Sequence, residues 1–178
     1  MSETIGIVQI GPAIGYSVEK LTDKIALKFP RHQVRRLESI DTPVMTFDSF
    51  RNQYHSTRIL VALEENAQGA QAEYVLGVIA FDLFVPGMNF VFGEARCPGR
   101  VAVISTHRLS ADRSGDPDVF ESRVVKEAVH EIGHMLGLKH CSEPSCVMYF
   151  SERLADTDRK SDSFCSECGS KLRCLEYE

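Results

Sequence analysis

Residues 130–141 read HEIGHMLGLKHC and hold three of the chain's six histidines, a glutamate and one of its six cysteines. They close the strongest helical pattern in the sequence. Asp116 suits an N-cap, and Pro117 suits the first helical position because its missing N–H would be unpaired there anyway. Phe120, Val124, Ala128, Ile132 and Leu136 then recur every fourth residue, with Val125 and Val129 widening the stripe. The spacing predicts a helix from about Pro117 to Leu136 whose stripe faces a core. At about 100° per residue, His130 and His134 lie roughly 40° apart on the other side, facing a cleft.

Two histidines one helical turn apart can reach a single ion. Glu131 points about 100° away from His130, which suits it poorly as a ligand but lets it reach a metal-bound water as general base. A continued helix would carry His140 to the wrong side. Gly137 resolves this, since glycine turns left-handed without the roughly 1–2 kcal/mol that other residues meet. His140 then returns as third ligand, and the fourth position stays open, the mark of a catalytic zinc. A bare His-x-x-x-His pair is more simply two solvated side chains, but that reading leaves Glu131, Gly137 and His140 unexplained. His32, His55 and His107 stand alone and read as surface or core residues. Glu127, one turn before the pair, reads as solvated.

Cys141 and Cys146 form C-x4-C, and Cys165 and Cys168 form C-x2-C. Two close pairs separated by a loop suit a structural four-thiolate zinc site. A redox Cys-x-x-Cys and disulfides are the alternatives; the first wants a βαβ context that is missing, the second an oxidising compartment. Cys97 and Cys174 read as free thiols.

His-Glu-x-x-His-x-x-Gly-x-x-His followed by Met148 resembles the metzincin clan of zinc peptidases. The four cysteines narrow the resemblance to the archaemetzincins, and FDLFVPGMNFVFGEARCPGRVAVIST is also similar to that family. The likeness runs from IGIVQIG to the last cysteine pair. It implies an α/β fold: a small mixed twisted sheet, an active-site helix and a zinc-stapled C-terminal part. It further implies a zinc metallopeptidase that hydrolyses peptide bonds with Glu131 activating the water. His130, His134 and His140 would hold the catalytic zinc, and Cys141, Cys146, Cys165 and Cys168 a structural one. Met148 would form a hydrophobic floor beneath the first ion. By clan analogy a peptide would pair along Asn89–Ala95, and Tyr149 and Phe150 would line a specificity pocket.

Elsewhere TIGIVQIG, HQVRRLESI, EYVLGVIAFDL, NFVFGEA and RVAVISTHRL read as strands. Val18, Leu21, Ile25 and Phe29 mark an amphipathic helix stopped by Pro30, and RILVALEENA leans helical. At 178 residues the chain is read as one domain. Residues 1–137 would form a sheet subdomain ending in the active-site helix, and residues 138–178 a small subdomain around the second zinc. The polar stretch SADRSGDP is a further candidate boundary. A formal charge of −5 with no basic cluster argues against nucleic acid as partner. SFCSECGSKLRC, with only Lys171 and Arg173, is too poor in cations for a zinc-ribbon nucleic-acid module. No apolar run reaches the roughly 18 residues of a membrane span, and the N-terminus has no basic leader. A cytoplasmic monomer acting on a peptide or protein substrate is the expectation. The rival is a zinc-stabilised peptide- or protein-binding module without turnover, which the intact Glu131 disfavours.

Overall fold

Both faces of the first strand are apolar, so both must be covered. In the computed structural model, which describes residues 3–67, 72–110 and 115–175, that strand is β1 (Thr4–Ile10), followed by α1 (Val18–Lys28) and β2 (Gln33–Arg36). A short 3-10 turn leads to β3 (Phe47–Asp48), β4 (Gln53–His55) and α2 (Ser56–Ala67). Then come β5 (Tyr74–Ile79), β6 (Leu83–Phe84), β7 (Gly93–Ala95) and β8 (Val101–Ser105). The remainder is helical: α3 (Pro117–Met135), α4 (Leu154–Arg159) and α5 (Ser166–Leu175). SADRSGDP contains residues 111–114, which lie outside the described residues.

The main sheet runs β2-β1-β5-β8-β7. Its first four strands are parallel, and β7 closes the edge antiparallel to β8. Ile5 and Ile7 of β1, with Ala102 and Ile104 of β8, face α1 and α3; Val8, Ile10, Val101 and Val103 face Ile59, Leu60 and Leu63 of α2. This period-two division gives three layers, helices on both faces of a mixed sheet. The first layer's core also takes in Leu138, Val147, Met148, Cys168 and Leu172 from the C-terminal part.

Two expectations need correction. The strand expected over Asn89–Ala95 is only Gly93–Ala95. The carbonyl oxygens of Met88 and Asn89 accept from Arg51, that of Asn89 also from Gln53, and the Val91 amide donates to the Leu83 carbonyl of β6. EYVLGVIAFDL, expected as one strand, divides into β5 and the start of β6, and short β3, β4 and β6 form a second sheet in the order β3-β4-β6.

Candidate metal centre

α3 begins as the sequence requires, with the Asp116 carboxylate accepting from the Asp118 amide and Pro117 in the first turn. Val124, Ala128 and Ile132 are fully buried against the sheet. His130, Glu131 and His134 occupy the cleft side. The helix ends at Met135, and Gly137 has φ +96°, the left-handed turn that brings His140 back. One ligand atom from each of His130, His134 and His140 lies within 4.8 Å of the others.

Backbone carbonyls set the ring orientations. His130 Nδ1 is 2.7 Å from the Val147 oxygen, and His134 Nδ1 is 2.7 Å from the Leu138 oxygen. A carbonyl oxygen only accepts, so each Nδ1 carries a proton and each Nε2 is left as a lone pair. Those two Nε2 atoms face one another at 3.1 Å. Tetrahedral ligation at about 2.0–2.1 Å puts two nitrogens about 3.3–3.4 Å apart. Two converging lone pairs repel unless a cation lies between them, and the donor set therefore fits zinc. Burial, then the nearby Lys160 charge, lowers the His130 pKa well below the usual imidazole value. Burial likewise lowers those of His134 and His140. All three are held neutral, as ligation needs.

Glu131 is 4% exposed. Burial, then the neighbouring Glu127, pushes its pKa well above the usual carboxylate range, with Lys160 opposing. Its carboxylate lies against the β7 backbone: a Cβ built on Gly93 would stand 2.7 Å from Glu131 Oε1 and 2.8 Å from its Cγ. The same Cβ would stand 2.8 Å from the Val103 carbonyl oxygen, so Gly93→Ala is expected to strain the β7–β8 pair and displace the carboxylate, and misplacement by about 1 Å can lose about 10²-fold in rate. Zinc content should stay at the wild-type level. Turnover assays with metal analysis check this; unchanged kcat would contradict the contact.

The linkage sign for Glu131 follows from its raised pKa. In protein stripped of the histidine-site ion the unfolded state loses this proton near pH 4.3, while the folded state keeps it to higher pH. The stability this provides is fully present below about pH 4.3 and is lost as pH rises through the folded-state value. Glutamine mimics the protonated acid, so with the histidine site alone stripped Glu131→Gln should melt above wild type at about pH 8 and level with it at about pH 4. A gap that narrows with rising pH would contradict the assignment.

The sulfurs of Cys141, Cys146, Cys165 and Cys168 all lie within 4.8 Å of one another. Cys141 and Cys165 are 3.8 Å apart, against about 3.8 Å for two thiolates on one tetrahedral zinc at about 2.3 Å. Backbone amides donate into the cluster, from Glu143 to Cys141, Cys165 to Cys146 and Cys168 to Cys165. The Cys168 amide draws the Cys165 thiol below its ordinary pKa, whereas burial pushes Cys146 and Cys168 up. Four thiolates there need a divalent cation, and the residues fit one. Cys97 and Cys174 are exposed and belong to neither group. His32, His55 and His107 join no metal group among the described residues.

A cleft of about 700 Å³ opens over the histidines, lined also by Gly93, Glu94, Phe90, Lys139 and Phe150. Of the two expected pocket residues only Phe150 lines it; Tyr149 faces a separate pocket beside Cys141 and Arg153. Peptidase family M54 matches residues 14–174. The chain belongs to that family, the archaemetzincins. As an M54 peptidase it is a zinc metallopeptidase, a hydrolase acting on peptide substrates. An archaemetzincin from Archaeoglobus fulgidus is 45% identical over 158 residues, 89% of this chain and 92% of its own length. The crystal structure of archaemetzincin from Methanopyrus kandleri superposes with TM-score 0.86 at 35% identity, covering 99% of this chain and 96% of that one. A zinc-dependent peptidase from Methanocorpusculum labreanum gives TM-score 0.82 at 31% identity, covering 94% and 99%. No helix among the described residues of the M54 chain is long and apolar enough to cross a membrane.

Three features escaped sequence reasoning. Glu127, read as solvated, is 3% exposed and paired at 2.9 Å with the buried Lys160. Its partner comes 33 positions later, from beyond a helix with no sequence signal. Gly93 was legible only as part of a strand. The carbonyls of Val147 and Leu138 carry no side-chain signal at all.

Proposed function

We propose that His130, His134 and His140 hold the catalytic zinc of this peptidase and that Glu131 is its general base. The facing Nε2 pair at 3.1 Å, with both Nδ1 atoms committed to carbonyls, carries this reading. Zinc bound there would supply Lewis acidity to the scissile carbonyl and would lower the pKa of water from 15.7 to about 7. Glu131 takes the proton of the attacking water and hands it to the leaving amine. Its burial fits that work, since a base with raised pKa binds the proton well enough to carry it. β7 is the edge of the main sheet, and its free backbone side can pair with an extended peptide. Phe150, whose ring lies 4.9 Å from that of His140, offers apolar contact to a substrate side chain.

The four cysteines hold a second, structural zinc, so the chain carries two ions. Residues 1–137 form the sheet part and residues 138–178 the part organised around the second ion, within one domain. The open histidine site should lose its ion to a chelator before the closed thiolate site. Metal analysis during chelation, with an unbiased peptide-library digest at each step, tests this. Cleavage should end with the first ion; a single ion, or simultaneous loss of both, would contradict it.

A further inference from the structure

Lys160 is the buried charge that the proposed chemistry leaves unused. Its side chain is fully buried, with Nζ 2.9 Å from Glu127 Oε1 and 3.5 Å from the Tyr149 carbonyl oxygen. Thr157, also fully buried, donates its hydroxyl to the same Glu127 oxygen at 3.1 Å. Glu127 stands on α3 one turn before His130 and lines the cleft. Tyr149 ends the segment whose Val147 oxygen accepts from His130 Nδ1 and whose Met148 oxygen accepts from the Cys141 amide. One ammonium thus touches both supports of His130, the helix that carries it and the strand segment that orients its ring.

Docking of α4 does not need this pair. Arg123 already binds Asp158 through two bonds at 2.6 and 2.8 Å, and Lys126 donates to the carbonyls of Thr157 and Asp158. Nor does stability alone account for it, because well-packed apolar side chains often replace a buried ion pair without loss. We infer that Lys160 is a positioning residue for the peptidase reaction. Acting through Glu127 and the Tyr149 carbonyl, it fixes the Val147–Tyr149 segment against α3 and so holds the His130 ring in ligating orientation.

This rests on the reading of the three histidines as ligands, and the test separates the two. Wild type, His134→Ala, Thr157→Val and the double variant Lys160→Met/Glu127→Gln are loaded with zinc and titrated with a chromophoric chelator. In parallel samples Co²⁺ replaces only the chelator-labile ion, so that its d–d bands report geometry at the histidine site. The double variant removes both charges, so no unpaired buried ion remains to unfold it. It should melt like wild type once the chelator-labile ion alone has been removed, yet hold that ion about 10- to 100-fold more weakly. Its cobalt bands should shift, and kcat should fall with KM unchanged. Thr157→Val should move the same readouts less, and it decides alone if the double variant does not fold. Folded variants with wild-type zinc affinity and cobalt spectrum would overturn the positioning role. If wild type itself holds no chelator-labile ion that depends on His134, the ligand reading fails first.

Discussion

Replacing Cys165 with serine is expected to unfold the C-terminal part of the chain before it touches the chemistry. A four-thiolate zinc site contributes on the order of 10 kcal/mol of apparent binding energy at neutral pH. Whole domains are stable by only about 5–15 kcal/mol, so one lost ligand removes a large share. Cys165 is central to the cluster: its sulfur lies 3.8 Å from that of Cys141 and accepts from the Cys168 amide, and its own amide donates to Cys146. On the proposed reading, loss of that ion would free α5 and draw Cys168 and Leu172 out of the core they share with the sheet. The effect should reach the histidines, because Cys146 adjoins Val147 and Cys141 adjoins His140. Zinc content should fall by one ion, the melting temperature should drop, and proteolysis should cut after Met148. Activity should fall as a consequence of that loosening, not through any change in the catalytic residues themselves. A variant that melts like wild type with its full zinc would remove the cysteines from the ligand set.

The site was legible where its residues are close in sequence. The N-cap, the apolar stripe of α3, the glycine turn and the third histidine all lie between Asp116 and His140, so helical geometry alone relates them. The cysteine pairs were legible for the same reason, each pair being short-range. What sequence could not show depends on contacts between distant segments. The closeness of Gly93 to Glu131 needs β7 laid along α3, and the burial of Glu127 needs α4 folded back over it. Strand runs with apolar residues on both faces, such as β1 and β8, announced themselves. β3, β4 and β6 have two or three residues each, too few for any period to register.

The Glu131→Gln variant has the largest expected effect on the reaction. Glutamine keeps the shape of glutamate but cannot take a proton at neutral pH. Glu131 is not among the converging ligand atoms, so the three histidines should keep their ion. The pocket against Gly93 should accept the amide, because burial already favours the uncharged carboxyl. Removing a general base lowers rate by about 10²–10⁴-fold. The decisive measurement is zinc content and peptide turnover on one preparation of Glu131→Gln beside wild type. Full zinc with turnover reduced by about 10²–10⁴-fold is the predicted result. Wild-type turnover from the zinc-loaded variant, or loss of the ion with the carboxylate, would contradict Glu131 as the base.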